Sequence, residues 1–168
     1  YDYIAFDDHH FKEDLQYKDA IPMFRRLLAL ATEHGLEFGL KLSNTFPVDV
    51  KAGELPSEEM YMAGKSLFPL TTTMAARISK EFGGRMRISY AGGADAFNID
   101  KSFACGIWPI TMAPTELKPG GYQRFVQVGD KLDTLDFKPF TGVDVGAIEA
   151  LALAARSDKY HVKDIKPL

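Results

Sequence analysis

The sequence predicts an α/β fold with parallel strands, of the (β/α)8 TIM-barrel kind but too short to be a whole barrel. Three observations predict it. Short apolar runs alternate with stretches of helical periodicity, and no tight hairpin signal joins successive runs, so crossover connections and a parallel sheet are expected. Arg87-Ile88-Ser89-Tyr90 runs straight into Gly92-Gly93 and a helix start; paired glycines let the backbone approach a ligand, and the helix-start N–H groups suit phosphate. A second apolar run, Gly106 to Met112, ends in small polar residues, and consecutive loops late in a barrel commonly hold a phosphate between them.

The 168 residues suffice for one domain with a sizeable core but fall short of the about 250 of a complete barrel. Apolar residues are 46%, charged residues 26% and the formal charge is −3, which leaves no electrostatic footprint for nucleic acid. No apolar run approaches the roughly 20 residues of a membrane span. Tyr1 is not an initiator Met and no signal-peptide pattern follows it, so the chain reads as an excised or processed piece. Cys105 stands alone. It excludes an internal disulfide, fits a reducing, cytoplasmic compartment, and cannot by itself hold an iron–sulfur cluster.

Tyr3 to Phe6 reads as a buried strand that ends in the polar loop Asp7-Asp8-His9-His10. Carboxylates and imidazoles are common metal ligands, but neighbours in an extended chain point opposite ways and the spacing matches no ligand pattern. No metal is assigned there; a place near a substrate is expected instead, because barrel strand ends carry chemistry. Asp19 is expected to cap a helix with Pro22 in its first turn; Ile21, Phe24, Leu27, Leu28 and Ala31 form its stripe and Gly35 ends it. Arg25, Arg26 and Glu33 make the solvated face.

Glu37 to Ser43 reads as the next strand. Lys41 within it needs a partner if buried; a ligand phosphate or planar ring would serve, and so would a carboxylate from a neighbouring strand. Asn44 could hydrogen-bond a heterocycle or organise the turn before Pro47. Val48 to Glu59 is expected to be a long loop, of the kind used as a lid or binding loop. Met60 to Leu70 is expected to fold back over the barrel mouth, with its methionines in packing. Leu70, Met74, Ile78 and Phe82 then predict a helix stopped by Gly83-Gly84.

Beyond the paired glycines, Asp95 is the expected N-cap of a helix burying Ala96, Ile99 and Phe103. Cys105 has no adjacent base to activate it and is read as a buried small residue. Ile107 to Met112 is the last strand, Lys118 to Gly121 a turn, and Tyr122 to about Leu132 a helix containing Phe125 and Val128. The barrel part thus spans residues 1–138. Residues 139–168 form a linker and a helix, capped by Asp144 and bearing Ile148, Leu151, Leu153 and Ala154. Its apolar positions nearly encircle it, so it is expected to pack against something, such as a further domain. The tail from Lys159 is basic and unpatterned.

Gly64-Lys65-Ser66-Leu67-Phe68-Pro69, Ile88 to Ala96 and Gly106 to Ala113 stand in the order and spacing of the C-terminal half of dihydroorotate and dihydropyrimidine dehydrogenase barrels, which the chain resembles. Phe38 to Val48, Glu58 to Met62 and Leu117 to Arg124 resemble more specifically a bacterial family described as a selenate reductase subunit or an NADPH-dependent glutamate-synthase-like iron–sulfur flavoprotein. The resemblance covers nearly the whole chain. It implies the later part of an FMN-type barrel within a multidomain oxidoreductase whose other parts carry 4Fe-4S clusters, FAD and NADPH. Gly92 and Gly93 would grip the FMN phosphate, Thr111, Ala113 and Thr115 would line the next loop, and Gly64 would belong to the glycine loop that closes the site. Lys41 and Asn44 complete the expected cofactor-binding set.

Three departures accompany the resemblance. Pro114 occupies the position of a Ser or Thr whose N–H helps hold phosphate, and proline has none. Lys41 and Asn44 share one strand, where the dehydrogenases use successive strands. The segment with the dehydrogenases' catalytic Cys or Ser lies upstream, so no catalytic residue is assigned and the piece alone is not expected to be active. The expected function is electron or hydride transfer between FMN and a small planar or oxyanion substrate. The alternatives are a flavin-free barrel remnant acting as a scaffold between redox domains, and a phosphorylated-sugar enzyme on the same kind of barrel. Expected partners are the substrate and the parent's other redox domains, with neither nucleic acid nor membrane. Gly92→Val is expected to abolish cofactor retention with little loss of folding.

Overall fold

In the computed structural model, which describes residues 4, 5, 8–50, 53 and 56–161, the chain resolves in order into β1 (Ile4–Ala5), α1 (Asp8–Lys12), α2 (Tyr17–Glu33), β2 (Gly39–Leu42), β3 (Phe46–Val50) and β4 (Glu59–Met62). A 3₁₀ turn (Gly64–Leu67) follows, then α3 (Phe68–Glu81), β5 (Arg87–Tyr90), α4 (Ile99–Ala104), α5 (Gln123–Leu132) and α6 (Val145–Ser157). Contacts divide these elements into two units. Of the described residues, one unit holds those before Gly39 together with those between 45 and 62; the other holds Gly39–Asn44 and residues 63–161.

The larger unit is built on α3. Pro69 presets the backbone in its first turn, and Gly83 and Gly84, both at positive φ, end it. The expected stripe of Leu70, Met74, Ile78 and Phe82 is only half right: Ile78 and Phe82 are buried, but Leu70 is 46% exposed. The buried face instead runs through Phe68, Thr71, Thr72, Ala75, Ala76 and Ser79. Threonines can sit there because Thr72 Oγ1 donates to the Phe68 carbonyl at 2.7 Å, which satisfies the hydroxyl locally. This face is wide because α3 has two neighbours: the strands on one side and α6 on the other.

β2 and β5 are parallel, with Leu40 opposite Ile88 and Lys41 opposite Ser89. A single parallel bridge from Tyr90 to Ile110 continues the sheet. The expected strand from Ile107 to Met112 shrinks to that bridge. Pro109 accepts from the Tyr90 N–H at 2.9 Å but has no N–H to return. Ile88 and Tyr90 are fully buried, and the Tyr90 ring meets Phe68 edge-on at 5.8 Å. Strand alternation places Lys41 and Ser89 on the sheet's other face.

Asp144 caps α6 as expected, accepting from the Ala147 N–H at 2.9 Å. Its buried positions are Ile148, Ala152 and Ala155, while Leu153 is 70% exposed. Small alanines on α6 and on α3 let the two helices approach closely. The last helix is therefore packed within the larger unit. Cys105 is buried at the end of α4, and burial, with Asp144 nearby, pushes its thiol up to about 11, an unreactive state.

The smaller unit departs most from expectation. The polar stretch after Val48 is not all loop: β3 and β4 form an antiparallel hairpin, with Asp49 opposite Glu59 and Val48 opposite Met60, and β1 adds antiparallel to β3. Pro47 and the charged Asp49 hide the alternation, but Val48 is fully buried and anchors the strand. The Asp-Asp-His-His loop is partly the helix α1, which begins at Asp8; Asp7 lies outside the described residues. In α2 the N-cap is Gln16, so Asp19 lies inside the first turn and Pro22 beyond it. Met23, Leu27 and Leu30 on that helix are 42–51% exposed.

Candidate functional site

Both parallel contacts of β5 end at the same edge of the sheet. The Ala91 N–H donates to the Leu42 carbonyl at 2.6 Å, and the Thr111 N–H donates to the Tyr90 carbonyl at 2.7 Å. The loops after β2, after β5 and after Ile110 thus leave from one place, the C-terminal ends of parallel strands, where α/β proteins bind ligands.

Buried side chains set the Gly92–Gly93 loop. The Tyr90 hydroxyl donates to the Gly92 carbonyl at 2.8 Å. The Asn98 amide, fully buried, donates to the Gly93 carbonyl at 3.1 Å and accepts from the Asp95 N–H at 2.9 Å. The loop's carbonyls are thereby turned inward and satisfied. Among the described residues no protein acceptor takes the N–H groups of Gly92, Gly93 or Ala94, nor those of Met112 and Ala113. Unpaired N–H groups on two adjacent loops are what an anion requires.

The glycines are needed for close approach. A Cβ at Gly92 would overlap the Thr71 side chain, lying 2.5 Å from its Cβ. Gly93 sits at φ 78°, and a Cβ there would overlap the Gly64 carbonyl and come within 3.0 Å of Lys65 Cα. Gly64 is at φ 74°, and a Cβ there would lie 3.7 Å from Pro114 Cβ, in ordinary contact. Three of the expected loops, those of Gly64, Gly93 and Pro114, therefore meet. This also corrects the expectation for Gly92→Val: the added side chain would strike Thr71, so folding as well as binding would suffer. Burial holds the Tyr90 hydroxyl far above the usual tyrosine range, a hydrogen bond with Thr71 opposing. Thr71 in turn shares a 2.8 Å hydrogen bond with Ser43.

Of the remaining expected residues, Lys41 and Asn44 are exposed, so no buried ammonium needs explaining; Lys41 lies on the sheet face away from α3. Thr111 and Ala113 are exposed beside the bridge, and Thr115 is buried in the following turn. Asp95 accepts from the Phe97 N–H at 2.9 Å and so caps a turn that precedes α4, whose own N-cap is Asn98.

The tail read as unpatterned contributes a strap. The Tyr160 hydroxyl donates to the Asp95 carboxylate, and burial with that carboxylate raises its pKa. Lys65 Nζ lies 4.1 Å from the Tyr160 ring centroid. His161 stacks on Phe68 at 4.5 Å and donates from Nδ1 to the Lys65 carbonyl at 3.2 Å; burial lowers its pKa. Tyr160 and His161 thus tie the Gly64–Lys65 turn to the Gly-Gly loop. Only an aromatic pair at a chain position without periodicity marks them in the sequence.

Residues 1–163 match the family described as oxidoreductase YgfK, N-terminal TIM-barrel domain. The chain is 44% identical over 165 residues to the "Putative oxidoreductase YgfK" of Escherichia coli (strain K12), and equally to that of Escherichia coli O157:H7. The match takes in 98% of the chain but 16% of either relative's length. No solved structure matches the chain.

Proposed function

The chain belongs to the family of the oxidoreductase YgfK N-terminal TIM-barrel domain, and from that premise we propose that it grips the phosphate of FMN at the C-terminal ends of its parallel strands. The observation that carries this reading is a pair of adjacent loops whose N–H groups at Gly92, Gly93, Ala94, Met112 and Ala113 meet no acceptor among the described residues, while Tyr90 and Asn98 tie the Gly92 and Gly93 carbonyls inward. Gly92, Gly93 and Ala94 supply N–H groups from one side and Met112 and Ala113 from the other. Gly64 closes over Gly93 and keeps water off the phosphate, with Thr111 and Thr115 shaping the far wall. Lys41 and Asn44, exposed on and after β2, reach the ring rather than the phosphate. FMN supplies the electron or hydride transfer, and the protein positions it.

The chain spans 16% of the relatives' length. We place the remaining redox equipment in the rest of the parent: 4Fe-4S clusters, FAD and an NADPH site, as in the selenate-reductase or glutamate-synthase-like description. The substrate is a small planar molecule or an oxyanion. Pro114 supports a second reading, a barrel without flavin that joins redox domains, because it removes one phosphate-directed N–H. Acid release and chromatography of flavin from the purified full-length protein separates the two. Stoichiometric FMN supports the first reading; a folded protein without FMN supports the second.

A further inference from the structure

In the smaller unit, side chains of α1 meet those of the β3–β4 hairpin, the Phe11 and Phe46 rings lying 5.2 Å apart between centroids. His9, His10 and Glu59 each place a ligand atom within 4.8 Å of the others. An extended chain would point adjacent histidines apart, but on a helix they differ by about 100°, and here the two rings are 3.9 Å apart between centroids. His10 Nε2 lies 3.2 Å from Asp49 Oδ1, and the His10 side chain is 8% exposed. Asp49 and Glu59 are cross-strand partners. Like charges directly opposite destabilise a sheet unless a cation offsets them.

We infer that His9, His10 and Glu59 form a site for a divalent transition-metal ion of the zinc type, with Asp49 orienting His10. Imidazole with carboxylate suits zinc better than magnesium or calcium, which take oxygen ligands. Metal-bound histidines usually engage a carboxylate through the second ring nitrogen, the role Asp49 fills here. Three protein ligands leave a fourth position for water or a substrate group. The inference does not rest on the flavin reading.

The test uses the full-length protein, stripped with a chelator and dialysed against zinc, with zinc and iron measured by elemental analysis. Wild type should take up one zinc more than either His9→Gln or Glu59→Gln, and Asp49→Asn should weaken zinc binding by about 10–100-fold. Glu59 is exposed, so its isosteric replacement keeps the fold, which circular dichroism confirms; Glu58→Gln serves as the neighbouring control and should retain the metal. Equal zinc content in wild type and Glu59→Gln, or no zinc bound by folded wild type, would overturn the inference.

Discussion

The Tyr90 hydroxyl donates to the Gly92 carbonyl across 2.8 Å, between a fully buried ring and a buried loop. This bond fixes which way the loop's peptide planes face, and so decides that the loop shows N–H groups rather than carbonyls at the strand ends. Tyr90→Phe keeps the ring packing on Phe68 but leaves a buried carbonyl unpaired, which costs about 1–3 kcal/mol. Thermal or urea unfolding should show that loss, and FMN retention should fall with it. An unchanged midpoint would remove Tyr90 from the account.

Gly92→Ala should destabilise by about 1–3 kcal/mol through overlap with Thr71. Thr71→Gly relieves the overlap and itself costs about 0.3 kcal/mol in helix propensity, together with the 2.8 Å hydrogen bond to Ser43. The double variant should therefore lose less than the sum of the two single losses, read from unfolding curves. Strict additivity would mean that the loop does not lie against α3 as described.

How far these relationships were legible in the sequence follows from their range. The two-glycine turn, the Asp144 cap and the Gly83-Gly84 end of α3 are local, and the residue pattern carries them. Thr71 against Gly92, His161 against Phe68 and the hairpin of β3 with β4 join positions far apart, and nothing in the local pattern of Thr71 or His161 signals the partner. The exposure of Lys41 is a further case. It lies among apolar residues in sequence, and strand alternation places it on the sheet's exposed face.

Lys41→Met tests that exposed face. With no packing to lose, stability should change by no more than about 0.5 kcal/mol, while flavin affinity in the full-length protein should drop. A large loss of stability would mean that Lys41 is structural.

His161 gives the strap a pH dependence. Burial lowers its pKa beneath the ordinary value of about 6.5, with the Lys65 carbonyl opposing. The folded state therefore binds the proton less readily than the unfolded state. The stabilisation is full above about pH 6.5 and is lost as the pH falls from there through the folded pKa. Below about pH 6.5 the unfolding midpoint of wild type should decline more steeply than that of His161→Gln. Parallel curves would show that the ring does not titrate with folding.

The most direct test of the phosphate corner compares FMN with riboflavin, which lacks the phosphate, on flavin-stripped full-length protein by equilibrium titration. If the two loops grip the dianion, FMN should bind at least about 100-fold more tightly, about 2.7 kcal/mol, since each hydrogen bond to a charged group contributes about 1.5–3 kcal/mol. Equal affinity for the two flavins, or tighter binding of riboflavin, would contradict the account.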